Sequence, residues 1–330
     1  MGLLIVGSVA FDSIETPFGK INKTLGGSAS YFSLAARFFA RPSVVAVMGN
    51  DFSDDYRAIL SKKNVDLTGL EQTKGKTFSW GGKYSFDLNN RETLFTKLGV
   101  FEKFQPKLLE KQKSAQYVFL GNIHPKLQLD VLLQIKKPRL VGLDTMNLWI
   151  EKTPKELAKI LKLVDIFVIN DSEARELSGE HNLMKAARKI IGMMGTTSPR
   201  PSPQKERATA TLIIKRGEFG LLMFQHSDSP PFKGGVRGGY NNRMQIFHLP
   251  GYPLEDVIDP TGAGDSFAGG MFGYLAKTGD TSWNNLKRAC VAGSALASLG
   301  VEKLGTKRLQ EITSAEINIR IAEFKKLTHF

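Results

Sequence analysis

The chain has 330 residues, of which 42% are hydrophobic and 23% charged, a composition typical of a globular protein with a large core. No apolar run approaches the roughly 18 residues that span a bilayer, and the first residues lack the basic segment of a signal peptide. With a single cysteine, Cys290, these features predict a cytoplasmic protein without disulfides. The net charge is +13, but basic and acidic residues are interleaved, so we expect neither a nucleic-acid-binding nor a membrane-binding protein.

Short apolar runs alternate with helical patterns along most of the chain. We expect strands at 3–9, 43–48, 117–120, 140–143, 166–169 and 212–215, and helices at 28–39, 127–136, 155–163 and 182–191. This alternation predicts one α/β domain over residues 1–330, with a mostly parallel sheet covered by helices on both faces. Ligands of such sheets bind beyond the carboxyl ends of the strands.

One region departs from this alternation and carries aromatic residues at every second position. These are Phe78, Trp80, Tyr84 and Phe86, a pattern typical of a half-buried strand. With a second strand at 92–98 and short strands at 14–24, the pattern predicts a small sheet that projects as a lid, with strands from about 13–25 and 76–98. A hairpin packed on the core is the alternative interpretation.

Two segments rich in proline, glycine, serine and charge have no periodicity. They cover residues 196–210 and 228–243 and flank a pair of strands around 212–224. Such a composition favours flexible surface loops, and we predict that both are insertions without a catalytic role.

The segment with the clearest chemical character is DPTGAGDSFAGG, residues 259–270. It stands where an extended segment gives way to a helix, whose first amides have no partner within the helix and attract anions. Gly262, Ala263 and Gly264 would thus form an anion hole for a transferring phosphoryl group, and Asp265 would accept the proton of an attacking hydroxyl. A helix cap without a ligand is the alternative.

The helix after Asp265 contains three glycines, Gly269, Gly270 and Gly273. Each glycine costs a helix interior about 1 kcal/mol relative to alanine. We therefore expect another backbone or a ligand to approach this helix closely.

The segment resembles the signature of the PfkB (ribokinase-like) carbohydrate kinase family, and the resemblance extends over nearly the whole chain. It implies a three-layer αβα sandwich with a small β-sheet lid, in which Asp265 is the catalytic base and Gly262, Ala263 and Gly264 form the anion hole. The implied reaction transfers the γ-phosphoryl group of ATP to an alcohol, with Mg²⁺.

Two amino-terminal segments fit the acceptor site of that family. Residues 6–12 resemble its first strand, which ends in an aspartate, here Asp12, that holds substrate hydroxyls. Gly26, Gly27 and Ser28 resemble its diglycine motif. Many members carry an asparagine a few residues later, where this chain has Tyr31.

Asn170 and Glu173 match the Asn-x-x-Glu motif that organises Mg²⁺ and phosphate in the family, with Asn170 also near the nucleotide. Glu173 is expected to act through water, because Mg²⁺ keeps several of its waters. Taken alone, the motif is also typical of a helix N-cap followed by an acid. Asp144 and Asn147 follow another strand and are further candidates.

Residues 215–220 align with the nucleotide-binding turn of the family, with Lys215, Gly217 and Gly220 as candidate contacts. Members often have threonine and an apolar residue where this chain has Lys215 and Arg216. A hairpin turn with basic residues is the alternative. Asp259 and Thr261 are candidates for a monovalent-cation (K⁺) site, which some members possess.

The sequence is compatible with three functions. A sugar or sugar-like acceptor is the first, and a nucleoside is the alternative within the same fold, with the lid aromatics stacking on a base. A catalytically silent ligand sensor is the alternative of another class. The aromatic lid edge also suggests a homodimer.

Overall fold

The structure is a computed structural model that describes residues 2–194, 209–226 and 244–328. Its strands within these ranges are β1 (Leu3–Val6), β2 (Ala10–Thr16), β3 (Gly19–Gly26), β4 (Pro42–Gly49), β5 (Asp66–Thr73), β6 (Ser79–Tyr84), β7 (Arg91–Lys97), β8 (Tyr117–Leu120), β9 (Leu140–Asp144), β10 (Ile166–Asn170), β11 (Thr211–Lys215), β12 (Leu221–His226) and β13 (Met244–Leu249).

The helices are α1 (Ser28–Ala36), α2 (Asp54–Ser61), α3 (Glu110–Lys113), α4 (Pro125–Gln134), α5 (Asn147–Lys152), α6 (Pro154–Leu161), α7 (Asp171–Ser178), α8 (Leu183–Met194), α9 (Ala263–Thr278), α10 (Trp283–Gly300), α11 (Lys307–Glu311) and α12 (Ser314–Leu327). No helix within the described ranges is both long and apolar enough to cross a bilayer.

The large sheet has the strand order β13-β12-β11-β10-β9-β8-β1-β4-β5. Its pairs are parallel except β11 with β12 and β12 with β13. The mostly parallel sheet is therefore confirmed, and its carboxyl ends gather along one edge. Strands β5 and β13 were not predicted, since their apolar residues alternate with exposed ones and form no continuous run.

Helices cover both faces of this sheet, which confirms the three layers. One buried cluster joins one face of the sheet to α1, α9 and α10, and a second joins the other face to α4, α6 and α8. The parallel strands are apolar throughout because both of their faces are covered.

Helices α1 and α9 pack backbone against backbone. A Cβ on Gly269 would lie 2.2 Å from the carbonyl oxygen of Phe32, and one on Gly273 would lie 2.8 Å from that of Ala36. Gly270 likewise faces α10, because a Cβ on Gly270 would lie 3.0 Å from the Cα of Gly293. The expectation that glycines in this helix admit another backbone is confirmed.

The small sheet has the order β3-β2-β6-β7, with the aromatic segment in β6. The predicted lid strands are present, but β2 begins at Ala10, so Asp12 lies inside a lid strand and not at the end of β1 as predicted. Ser8 and Ser28 explain the early end of β1. The backbone amide of each serine donates to the hydroxyl of the other at 3.1 Å, and these bonds turn the chain away from the strand.

Most of the two predicted insertions, residues 196–208 and 228–243, lies outside the described residues. Ala210 does not belong to a flexible loop as predicted, since it is buried in the core immediately before β11. Its apolar side chain continues the strand, so the core extends one residue further than the composition suggested.

Candidate active site

The start of α9 carries the residues that were predicted to form an anion hole. Gly262 is its N-cap in a left-handed conformation, with φ of 73°, and the ring of Tyr31 lies against it. The carbonyl of Gly262 accepts hydrogen bonds from the amide and hydroxyl of Ser266, at 2.8 and 2.7 Å. Glycine is required here by both the positive φ and the ring, since a Cβ would lie 2.3 Å from a ring carbon.

The amides of this turn differ in what they contact. The amide of Ala263 donates to the carbonyl of Pro260 at 3.1 Å, whereas those of Gly264 and Asp265 have no acceptor in the described part of the chain. Two amides at the positive end of a 16-residue helix therefore point toward the space beside Asp265. This arrangement suits an anion.

The Asp265 carboxyl lies at the same helix start. Burial raises its pKa to about 7, with a further increase from Asp144 and a partial decrease from Lys215. A carboxylate with a pKa near neutrality is a better proton acceptor than an exposed one. The site thus places a carboxyl group with a raised pKa beside two amides that have no acceptor in the described ranges.

Asp12 faces Asp265 from the lid sheet. Its carboxyl lies over Gly26, where a Cβ would be only 2.1 Å away, and it accepts a hydrogen bond from the amide of Gly27. Burial raises the pKa of Asp12 to about 7, the Gly27 bond lowers it, and Asp259 raises it further. The diglycine and Asp12 are therefore in direct contact, and their predicted role in acceptor binding remains a prediction.

The hydroxyl of Ser28 is engaged by Ser8, whose amide donates to it at 3.1 Å. Its predicted role in substrate binding remains a prediction.

Lys215 ends β11 and reaches into the site. Its ammonium is 3.8 Å from an oxygen of Asp144, and its side chain is 21% exposed. Burial alone would lower its pKa, but Asp144 and then Glu173 and Asp265 raise it above the usual value. Lys215 is therefore a permanent cation among three carboxyl groups.

Asn170 and Glu173 form a capping box at the start of α7. The Asn170 side chain accepts from the Glu173 amide at 2.8 Å, and the Glu173 carboxylate accepts from the Asn170 amide at 3.0 Å. The helix-cap interpretation is therefore correct for both residues. Burial raises the pKa of Glu173 to about 7, although Lys215 lowers it.

Asp144 lies at the carboxyl end of β9 and is held there by its backbone. Its carbonyl accepts from Gln128 at 3.0 Å, and its carboxylate accepts from the Thr145 amide at 2.9 Å. Asn147 begins α5 and is exposed, with no side-chain hydrogen bond in the described ranges, so its predicted role remains a prediction.

Asp259 fixes the loop that precedes α9. It is 1% exposed, and its two oxygens accept from the amides of Thr261 at 2.8 Å and Gly305 at 2.7 Å. Thr261 in turn donates its hydroxyl to that of Tyr84, at 3.0 Å. The lid strand β6 thus touches the anion-hole loop directly.

The predicted nucleotide turn after Lys215 is a tight 3₁₀ turn at Gly217–Phe219, and its role remains a prediction. Gly220 has φ of 79°, and a Cβ there would lie 2.0 Å from the carbonyl of Leu249. Asn89, at the tip of the lid, approaches Glu218 of this turn at 3.5 Å. The lid therefore extends from Asp12 to the nucleotide turn.

Comparison with known proteins agrees with this geometry. A family described as pfkB family carbohydrate kinase matches residues 4–312 of the chain. The chain belongs to this family. It is therefore a kinase, a phosphotransferase with an alcohol group as acceptor, and the prediction of an enzyme is confirmed.

Relatives within the PfkB family include nucleoside and sugar kinases. A cytidine kinase of Thermococcus kodakarensis is 27% identical over 282 residues, which cover 83% of this chain and 88% of the relative. The structure of a Burkholderia thailandensis nucleoside kinase with inosine superposes with a TM-score of 0.72 at 18% identity, covering 100% and 99% of the two chains. That of a putative ribokinase II from E. coli with ATP and Mg²⁺ superposes with a TM-score of 0.71 at 18% identity, covering 98% and 99%.

The donor set of this PfkB kinase fits a magnesium ion held largely by water and phosphate. No group of three or more histidine, cysteine or acidic residues in the described part of the chain could enclose a metal. Only one oxygen of Glu173 is used in the capping box, which leaves the other for a metal-bound water. Mg²⁺ commonly binds in this way, through one or two carboxylates and the phosphates of a substrate.

Two residues at the site were not found from the sequence. Arg91 begins β7, stacks over the ring of Trp80 at 4.9 Å, and lowers the pKa values of Asp12 and Asp265. The hydroxyl of Tyr84 contacts Thr261. The aromatic pattern pointed to Tyr84 as a lid residue, but no sequence signal connected it or Arg91 to the carboxylates.

Proposed function

We propose that this kinase transfers the γ-phosphoryl group of ATP to a hydroxyl of a sugar or nucleoside, with Asp265 as the catalytic base. The observation that supports this most is the start of α9, where the Asp265 carboxyl and the unpartnered amides of Gly264 and Asp265 stand together. One group can accept a proton while the other two stabilise the charge of the phosphoryl group.

In this proposal the acceptor is held by Asp12, whose carboxylate accepts hydrogen bonds from two neighbouring hydroxyls. Asp265 takes the proton of the attacking hydroxyl. The amides at the start of α9 and the Lys215 ammonium stabilise the phosphoryl oxygens. The contact between Tyr84 and Thr261 keeps the lid over the site, which excludes water and limits hydrolysis of ATP.

ATP is proposed to lie along the carboxyl edge of the sheet, between the turn at 215–220 and the start of α9. Glu173 and Asn170 would hold Mg²⁺ through water, and Mg²⁺ would neutralise part of the phosphate charge. Gly217 and Gly220 would let the backbone approach the nucleotide, since both have positive φ.

A nucleoside acceptor is favoured by the register of the lid strands. Asp12 and Trp80 are register partners on the adjacent strands β2 and β6, so the indole and the carboxylate proposed to hold the diol stand on the same face of the lid sheet. A ring in that position can stack on a nucleobase. A panel of ribose, fructose, cytidine, adenosine and inosine, assayed with Mg·ATP, separates a nucleoside kinase from a sugar kinase.

The role of Asp265 is tested by Asp265→Asn. We expect it to bind Mg·ATP normally and to lose at least about 10²-fold in turnover, the low end for removal of a general base. Asp55→Asn, an exposed aspartate at the start of α2, is the matched control and should retain full turnover. Near-normal turnover of Asp265→Asn would contradict the proposal.

Three further proposals concern the surroundings of the reaction. Asp259 and Thr261 would contribute to a monovalent-cation site, which predicts higher turnover in potassium than in choline salts. Phe86, 86% exposed at the lid, supports a homodimer through the lid edge, which light scattering would detect. A cytoplasmic location is proposed from the composition.

A further inference from the structure

Tyr31 has a fixed position in the candidate site, next to the start of α9. It lies in α1, is 2% exposed, and packs its ring on the backbone of Gly262, where a Cβ would lie 2.3 to 2.5 Å from three ring carbons. Because α1 and α9 are in backbone contact, neither the ring nor the loop beneath it can easily shift. The ring thus sets one wall between the lid and the anion hole.

The hydroxyl of Tyr31 is buried and has no hydrogen-bond partner among the residues that the structure describes. Burying a hydroxyl without a partner is unfavourable, so such a group in a native site calls for an explanation. Burial and the nearby carboxyls of Asp12, Asp259 and Asp265 hold its pKa well above the usual value. The hydroxyl therefore stays protonated and is available as a donor.

A polyol bound beside Asp12 needs hydrogen-bond donors as well as an acceptor. Hydroxyls that donate to Asp12 keep lone pairs of their own, and an ionised carboxylate cannot donate to them. Arg91, a cation of the lid, is already stacked on Trp80 and bonded to Tyr84. Among the described residues, the Tyr31 hydroxyl is a buried donor without a partner that lies near Asp12 and Asp265.

We propose that Tyr31 determines acceptor specificity by donating a hydrogen bond to a substrate hydroxyl oxygen that is held by Asp12. This inference rests on the proposed function and narrows its substrate class. The acceptor must carry two neighbouring hydroxyls, one of which accepts a hydrogen bond from the Tyr31 hydroxyl while it donates a hydrogen bond to Asp12. An analogue that lacks this oxygen loses both interactions, and such sites discriminate strongly against it.

The test combines Tyr31→Phe with deoxy substrates. The probes are cytidine and adenosine with their 2′-deoxy and 3′-deoxy counterparts, and ribose with 2-deoxyribose. Tyr31→Phe keeps the ring on Gly262, so the fold should survive. Tyr117→Phe is the matched control, because it removes another buried hydroxyl without a described partner, at the opposite end of the strands.

We expect Tyr31→Phe to lower kcat/KM for the intact acceptor by about tenfold or more, as loss of one buried hydrogen bond implies. With one of the deoxy counterparts the variant and the wild type should differ less than about twofold, since that bond is already missing. The KM for ATP and the melting temperature of the unliganded protein should not fall. Tyr117→Phe should leave all of these ratios unchanged.

Equal losses with intact and deoxy acceptors would overturn the inference, because Tyr31 would then act on the fold or the phosphate. So would unchanged kinetics with the intact acceptor. Binding of the same probes, followed by thermal shift in the Asp265→Asn background, gives a readout that does not need transfer. If the probes bind in a way that depends on Tyr31 but the wild type transfers no phosphoryl group, the kinase proposal is refuted and the inference about Tyr31 stands. If no probe binds, the diol site is refuted.

Discussion

The Lys215 ammonium lies where a side chain on Gly264 would begin. A Cβ on Gly264 would be 2.6 Å from Nζ of Lys215, closer than real Cβ atoms approach a neighbour. Gly264 is thus a glycine because a cation from the neighbouring strand β11 crosses the start of α9. The same ammonium lies 3.8 Å from Asp144, so it connects the carboxylates to the anion hole.

Gly264→Ala should therefore reduce activity without unfolding the protein. The obstructing atom is the free end of a flexible side chain, which can move at little cost in stability but then leaves the anion hole. We expect a loss of at least about tenfold in kcat, with a melting temperature within about 2 °C of the wild type. Gly192→Ala, where a Cβ meets nothing within 4 Å, is the control and should keep full activity.

Lys215→Met should lower kcat by about 10² or more, because a preorganised charge beside the transferring group is lost. In the double variant Gly264→Ala Lys215→Met, kcat should be almost the same as in Lys215→Met alone, since the ammonium that the alanine would displace is already gone. Additive losses in this cycle, measured as kcat with saturating Mg·ATP, would show that Gly264 acts by some other route.

The dependence of activity on pH should reflect Asp265. Its pKa is raised to about 7, mainly by burial, and only the ionised carboxylate can accept a proton. We expect kcat/KM for the acceptor to rise with pH up to about 7 and then to level off. Removing the Lys215 charge should move this limb to higher pH. A flat profile between about pH 5 and 9 would argue against Asp265 as the base.

Asp12 should make the protein less stable as the pH rises. Its pKa is about 7 in the folded protein and 3.8 in an unperturbed carboxyl, so between these values the folded state holds a proton that the unfolded state has released. Stability therefore decreases from about pH 4 to about pH 7 and stays low above. Asp12→Asn should raise the melting temperature by at least about 2 °C at pH 8, with no gain near pH 4, while acceptor phosphorylation is lost.

Tyr84→Phe should loosen the lid. It removes the hydroxyl that accepts from Thr261, a net loss of about 1 kcal/mol, or about fivefold in lid closure. We expect a comparable increase in acceptor KM and more ATP hydrolysed per phosphorylated product. Tyr252→Phe, which removes a 2.8 Å bond to Glu323 away from the lid sheet, should change neither. If Tyr84→Phe hydrolyses no more ATP per phosphorylated product than the wild type, the contact between Tyr84 and Thr261 plays no part in catalysis.

The sequence was sufficient for elements whose residues are uniformly apolar and for turns in which glycine is obligatory. Strand β8 was predicted to the residue, and the start of α9 holds Asp265 as expected. The prediction that Asp12 ends the first strand was wrong. Ser8 and Ser28, 20 residues apart, bond each other and end β1 early.

Contacts between distant segments could not be predicted. Tyr84 and Thr261 are 177 residues apart, and nothing in either segment indicates the other. Arg91 looked like one of many surface charges until β7 placed it beside Trp80. The sequence showed Lys215 as a departure from the family pattern, but only the fold shows that it meets Gly264.

The backbone packing of α1 on α9 has a consequence for how new specificities can arise. Main-chain atoms at Phe32 and Gly269, and not side chains, set the spacing between the acceptor end of α1 and the base on α9. Substitutions in β6 and β7 can therefore reshape the binding surface while the alignment for proton transfer stays intact. An engineer or a natural lineage can exchange acceptors on this framework without rebuilding its catalytic apparatus.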